Sequence, residues 1–257
     1  LILPWELKKY NVDVLFMAKN LNIMLARCKT IIALQNMEPL AYREYDNDWK
    51  LNAVSWIKWH LNKWSVRKAD HVIAVSQAVK GRAIRCFPGI EKKVSVVYNG
   101  NPVSQQVEAL GRPVPSPGLR PPSPLGRGEG EGFLLTASKF VAYANQLNLI
   151  KAYLRLCEKN PNTPPLWFAG GVHDKKYFEK VQNFVDNNGL KERVKFLGLV
   201  PQQRLFELMR QTQAFVFPST LEACPHTPIE AMSCGAPIAA SNTPPMPEIC
   251  KDAAIYF

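Results

Sequence analysis

The chain has 257 residues, 47% of them hydrophobic and 21% charged, which excludes a wholly disordered chain and suffices for one large or two modest domains with a real core. It contains no run of about 18 or more apolar residues, so no spanning helix is expected. The net charge of +11 is uneven: residues 1–100 hold 16 Lys and Arg against 8 Asp and Glu, and the remainder 16 against 13. A basic first part suits an anionic membrane surface, a phosphorylated acceptor or nucleic acid; a solvated basic face is the plain alternative. The segment from Leu1 to Tyr10 lacks the marks of a signal peptide, and without an initiator Met a start inside a longer gene product is the expectation. Six scattered cysteines include no Cys-x-x-Cys pair and no zinc-ligand spacing. Free thiols in a reducing cytosol, and no metal site, are the expectation.

Residues 12–17 and 29–34 read as buried strands, 50–68 as a helix and 71–75 as a strand. Ser76 is a good N-cap for a helix through about Cys86, and 94–98 is a further strand ended by Asn99-Gly100. Residues 101–132 then hold seven of the 21 prolines and six of the 14 glycines. Such a stretch cannot pack a core and reads as a linker or low-complexity insertion. Three parts follow: a lobe over 1–100, the linker over 101–132 and a second lobe over 133–257. In the second, strands are expected at 133–137, 166–169, 194–197, 214–217 and 237–240, with helices at 145–159, 174–188, 202–211 and 227–234. Strands alternating with longer helices imply βαβ units and a parallel sheet, with ligands at the carboxyl ends of the strands.

The most informative stretch is PSTLEACPHTPIEAMSCGAPIAASNTPPMPE, residues 218–248. Here a strand runs into a loop holding Glu222, and a helix follows with Glu230 in its expected first turn. Thr227-Pro228-Ile229-Glu230 fits a capping box with Pro at the first helical position, so Glu230 reads as a helix cap. The same geometry serves function: a helix N-terminus offers free N–H groups and a positive dipole end to a pyrophosphate. A carboxylate beside it can accept from ribose hydroxyls.

Glu222 and Glu230 form an E-x7-E pattern, preceded by Pro218-Ser219 and followed by Ala231-Met232, Gly235 and Pro247-Glu248. This segment resembles the retaining glycosyltransferases of family 4, also called glycosyl transferases group 1. The resemblance extends over nearly the whole chain outside the linker. Ser138-Lys139-Phe140 resembles that family's Gly-Arg-Leu segment, and Ala169-Gly170-Gly171 its glycine loop. Residues 193–198 resemble the segment leading into the base-binding loop, and 69–76 and 97–100 are also familial. The resemblance implies a GT-B fold, an α/β architecture of two Rossmann-like lobes with parallel sheets facing across a cleft. It implies transfer of a sugar with retention from a nucleotide-sugar donor, without an obligatory metal or other cofactor, to a glycan or lipid-linked acceptor. By position, Glu222 lies near the transferred sugar, with His226 as a second catalytic candidate. Glu230 binds ribose and Lys139 the diphosphate. Gly170 and Gly171 edge the cleft, the amides of Cys224, His226 and Thr227 face the sugar and phosphates, and Gly198, Leu199 and Val200 flank the base.

Three departures stand out. Where the family usually has a second diphosphate Lys, this chain has Ala144, leaving His226 or Lys175 to supply that cation. Gln35-Asn36 stands where many members carry a His. Both ends are expected to be cut. These departures motivate a second reading, a non-catalytic remnant that binds a nucleotide sugar or a partner. An epimerase on the same fold is disfavoured by the E-x7-E context, and nucleic-acid binding by the lack of a recognition motif. Within 53–68, Ala53, Trp56, Ile57, His60, Leu61 and Trp64 share a helical stripe read chiefly as core. Lys58, Lys63, Arg67 and Lys68 flank it, and Trp59, off the stripe, is the candidate for a membrane interface. The reading places the protein in the cytoplasm, peripheral to the inner face of the membrane.

Overall fold

A computed structural model of the chain describes residues 2–20, 26–41, 49–100 and 132–257. The expected linker falls outside the described residues apart from Gly132. The chain divides into two compact units: Leu1–Gly100 with Leu221–Cys224, and Asn101–Thr220 with Pro225–Phe257.

In the first unit α1 (Ile2–Lys9) leads to β1 (Val14–Met17), β2 (Lys29–Leu34), α2 (Trp49–Lys68), β3 (His71–Ala74), α3 (Gln77–Cys86) and β4 (Val94–Val96). The four strands pair in parallel in the order β1-β2-β3-β4. β2 and β3 bury Ile32, Leu34, Val72 and Ala74, each worth up to about 1.5–3 kcal/mol for the larger side chains. The connections are held by polar groups that answer the helix ends. Ser76 caps α3, its Oγ accepting from Val79 N at 3.2 Å. Lys93 Nζ donates to the Arg67 and Ala69 carbonyls at 2.8 Å each, satisfying the end of α2. Asp70 accepts from Thr30 N at 2.8 Å and from Lys29 Nζ at 3.0 Å. The Thr30 amide, then Lys29, hold its carboxyl below its usual value.

α2 exposes the face expected to be core. Trp56, Ile57 and Leu61 are 53%, 52% and 44% exposed, and His60 is exposed too. The buried sector carries Asn62, Ser65 and Val66, with Trp59 half-buried and its ring centroid 5.8 Å from that of Phe87. Trp59 is therefore a packing residue rather than the interfacial one. The inversion is possible because both sectors carry Trp and aliphatic residues, and Asn62 engages its Nδ2 locally by donating to the Lys58 carbonyl at 2.8 Å. His60 Nδ1 lies 3.0 Å from the Trp56 carbonyl and His71 Nε2 lies 2.8 Å from Ser95 Oγ, local roles for both rings.

The second unit carries β5 (Leu134–Ala137), α4 (Gln146–Lys159), β6 (Leu166–Ala169), α5 (Lys175–Asn187), β7 (Val194–Gly198), α6 (Gln202–Gln211), β8 (Ala214–Phe217), α7 (His226–Ser233), β9 (Ile238–Ala240), α8 (Met246–Cys250) and β10 (Ala254–Tyr256). Its parallel sheet runs β10-β9-β8-β5-β6-β7. One side buries Leu135, Phe215, Phe217 and Ile238 against Phe206 and Met209 of α6 and Ala231 of α7. The other buries Phe168 with Ile150 and Tyr153 of α4 and Val181 and Val185 of α5. Helices on both sides of a parallel sheet make the unit a doubly wound α/β layer. The short last elements, α8 and β10, are too brief for hydrophobic periodicity to reveal. All six cysteines are free thiols, and burial pushes Cys234 and Cys250 up to about 11.

Candidate functional site

The strand order of the second sheet reverses between β5 and β8, since the chain builds outward from β5 to β7 and then returns to β8 on the opposite side. Carboxyl ends of strands beside such a switch point form a natural ligand crevice. The loops that leave β5, β6 and β7 there are locked together by backbone bonds. Ser138 N donates to Ala169 O at 3.0 Å, Gly170 N to Gly198 O at 2.8 Å and Phe140 N to Gly171 O at 2.9 Å. Gly170 has φ +144, and a Cβ there would overlap the Ser138 carbonyl, so glycine is required for this close approach. Gly198 turns at φ +66. Leu199, 85% exposed, lays its side chain over Gly171, where a Cβ would lie 3.1 Å from Leu199 Cδ2. Lys139 is exposed at the end of β5, its Nζ 5.3 Å from the Tyr143 ring centroid.

Two further networks fix these loops. Buried Gln146 donates through Nε2 to Ser138 Oγ and Lys139 O, both at 2.9 Å. The Tyr143 carbonyl accepts from Thr220 N at 2.8 Å, and Asn145 Nδ2 donates to Pro218 O at 3.2 Å, which ties the loop after β5 to that after β8. Ala144, at the position of the family's second Lys, is buried in this turn.

The start of α7 corrects the capping reading. Pro225 is the N-cap, with no side-chain capping bond, so Thr227 and Pro228 occupy the second and third helical positions. Pro is tolerated there because a first-turn N–H has no partner within the helix. Glu230 therefore lies beyond the first turn and caps nothing. It is half-buried. Burial raises its carboxyl above the ordinary value, opposed by charge from His226 one turn earlier and by a hydrogen bond from the Gln202 side chain. Gln202 opens α6 directly after the Leu199-Val200-Pro201 loop. Thus Val200, packed on the core, and exposed Leu199 stand beside the residue that reaches Glu230. His226 is exposed, and its amide and that of Thr227 open the helix.

The second unit thereby gathers Lys139, Gly170, Gly171, Gly198 and Leu199 at its strand ends, and His226, Thr227 and Glu230 on one helix facing the start of α6. Glu222 and buried Cys224 sit in the Leu221–Cys224 segment, which groups with the first unit. Within that unit Ser76 Oγ donates to the Ala223 carbonyl at 2.7 Å. Lys175 is exposed in the first turn of α5. Sequence reasoning missed Gln146 and Gln202. The signal for Gln202 was its place as first helical residue behind the base-loop segment; buried Gln146 gave none, because a lone Gln at a helix start reads as solvated.

A groove of about 710 Å³ opens at the other, amino end of the sheet, lined in part by Pro161, Thr163, Trp167, Arg193 and Lys195. Three of its lining side chains are engaged within the unit. Trp167 stacks on Phe133 with centroids 4.1 Å apart, Lys195 Nζ lies 5.0 Å from the Trp167 ring centroid, and Arg193 donates to the Pro161 and Thr163 carbonyls at 2.6 and 3.3 Å. The candidate site residues lie instead at the carboxyl end of the sheet.

The profile of the family described as Glycosyl transferases group 1 matches residues 122–255, just over half of the chain, and that of Glycosyltransferase Family 4 matches residues 2–105. The O-antigen chain mannosyltransferase of Salmonella typhimurium is 26% identical over 196 residues, covering 76% of this chain and 49% of that protein. The chain thus spans about half the length of this curated relative. Among solved structures, the sucrose-phosphate synthase of Thermosynechococcus elongatus superposes with a TM-score of 0.70 at 17% identity, covering 99% of this chain and 62% of that one. The Anabaena protein HepE in complex with UDP and glucose gives 0.64 at 20% identity, with 94% and 63% covered. The fold is of the GT-B type.

Proposed function

The chain belongs to the glycosyl transferases group 1 family, and from that premise we propose that it moves a sugar from a nucleotide-sugar donor to a glycan or lipid-linked acceptor, with retention at the anomeric carbon. The acceptor hydroxyl oxygen forms the new bond to that carbon. The bond from the carbon to the diphosphate oxygen breaks, and the hydroxyl proton leaves with the nucleoside diphosphate or to solvent. The developing charge on the leaving diphosphate calls for preorganised positive groups. Lys139 and the N–H groups that open α7 fill that role, Glu230 accepts from the ribose hydroxyls, and the Gly198-Leu199-Val200 turn borders the base. Glu222 and His226 are assigned to the sugar, Cys224 and Thr227 to the sugar and phosphates through their amides. HepE, of the same fold, was solved with UDP and glucose, and the Salmonella relative is an O-antigen mannosyltransferase. These likenesses support a role in building a cell-surface polysaccharide.

The observation that carries the reading is the state of Glu230: half-buried, uninvolved in capping, its pKa raised by burial and its carboxylate bonded by Gln202 beside an exposed turn. A carboxylate kept at such a cost, with no structural duty in its helix, suits a ligand with paired hydroxyls. The test is the thermal shift with UDP, GDP and ADP, with Glu230→Ala as control. One diphosphate should stabilise the wild type and not the variant. A folded chain with no response to any of them contradicts the proposal. A second reading rests on buried Ala144, which supplies no cation to the diphosphate: the protein binds donor without turning it over. Single-turnover assay with bound donor separates the two.

A further inference from the structure

The sector of α2 that faces outward carries its own pattern. At about 100° per residue, Trp56, His60, Trp64 and Arg67 fall on one edge of this sector and Ile57, Lys68 and Leu61 on the other. Trp56, Ile57 and Leu61 are each more than two-fifths exposed, and Arg67 and Lys68 are exposed in the last turn. Among its 20 residues, Trp49–Lys68, the helix has five basic residues and no acidic one. The lobe around it is basic as well, with 16 Lys and Arg against 8 Asp and Glu over residues 1–100. Three large apolar side chains left in water beside cations are costly for a surface that has only solvent to meet. Charge complementarity selects an anionic partner, and the apolar residues select one with a hydrocarbon layer beneath its charges. No helix among the described residues is long and apolar enough to cross a membrane.

We infer that the outward face of α2, Trp56, Ile57 and Leu61 with Arg67 and Lys68, docks on an anionic lipid bilayer. The indole and aliphatic side chains enter the headgroup boundary and the two cations meet lipid phosphates. The inference deepens the acceptor side of the proposed transfer, and rests on that reading only in placing a lipid-linked acceptor at the same surface.

The test is sedimentation of the full chain with vesicles of phosphatidylcholine alone and of phosphatidylcholine mixed with phosphatidylglycerol. The wild type should sediment with the mixed vesicles alone and release at high salt. Arg67→Gln with Lys68→Gln should lower the partition coefficient roughly 30-fold, at the usual contribution of a basic residue near such a surface. Trp56→Ser with Leu61→Ser should abolish sedimentation. Lys151→Gln with Lys180→Gln, an equal charge change on α4 and α5, should leave it within about two-fold. Indifference of the wild type to phosphatidylglycerol overturns the inference. So does an equal loss in the charge control, or α2 variants that turn a dimer into monomers while still sedimenting, since the face then joins two copies. The diphosphate thermal shift on the same preparations keeps the readings apart: a nucleotide response without vesicle binding rejects this inference and leaves the proposed transfer standing, and the converse rejects the transfer alone.

Discussion

Replacing Glu230 by Gln removes a charge and little else, which lets stability and binding be read separately. Glu230 makes no capping bond at the start of α7, so the loss of about 0.5–2 kcal/mol typical of a removed cap does not arise. Burial raises its pKa above 4.5 in the folded chain. A raised folded pKa means that stability is fully present below the unfolded value and is lost as pH rises through the folded one. Without ligand, Glu230→Gln should therefore melt no lower than the wild type at pH 7.5, and higher if the ionised carboxylate is costly. The difference should close below about pH 4. Binding moves the other way. Two hydrogen bonds to a charged acceptor become neutral ones, a loss of about 2–3 kcal/mol, or roughly 100-fold in affinity. A nucleoside diphosphate at 100 times its wild-type Kd stabilises the wild type by about 2.7 kcal/mol. That is about 5–10 °C for a chain of this size. The same concentration should move the variant by only about 1 °C. Differential scanning fluorimetry with and without the diphosphate, across pH, reads both effects. A variant that keeps the full ligand shift, or loses several degrees without ligand, refutes the reasoning.

Gln202→Ala should leave the fold intact but remove the donor that favours ionised Glu230, moving the acid limb of diphosphate binding to higher pH; titration calorimetry over pH 4.5–7.5 reads the limb, and an unmoved limb removes Gln202 from the site. Gly170→Ala must relieve overlap with the Ser138 carbonyl and adopt φ +144, so it should cost at least about 2 kcal/mol in urea unfolding. Ser76→Ala loses the α3 cap and leaves the Ala223 carbonyl without its donor; a destabilisation of about 1–3 kcal/mol is expected by the same method.

Much of the architecture was legible because local signals agreed with one another. β2 has the expected bounds of 29–34, and α3 starts behind Ser76 because a Ser before a helical run has one strong use. The helix expected over 174–188 starts at Lys175, because Asp174 caps it, accepting from Tyr177 N at 3.0 Å. The strand over 94–98 ends at Val96, with Val97 and Tyr98 exposed beyond it. Periodicity failed on α2, where the more apolar stripe faces outward and a sector carrying Asn62, Ser65 and Val66 with Trp59 is the one that tertiary packing buries. The capping box failed on α7 because Thr-Pro-x-Glu fits a helix start in two registers, and Pro225 sets the earlier one. At the candidate site, sequence located the residues at the strand ends, but not what holds them: the Gly170–Ser138 approach and the reach of Gln202 to Glu230 join positions distant in sequence, and the pair of hydrogen bonds from Gln146 depends on its burial.

The central claim is that a nucleoside diphosphate binds at the carboxyl ends of β5, β6 and β7 beside α7. Amide hydrogen exchange with and without UDP, GDP and ADP tests it most directly. Protection by one of them over residues 138–140, 170–171, 198–202 and 226–230, lost in Glu230→Gln, is the predicted result. Protection confined to residues 161–165 and 191–195, around the groove at the amino end of the sheet, would contradict it.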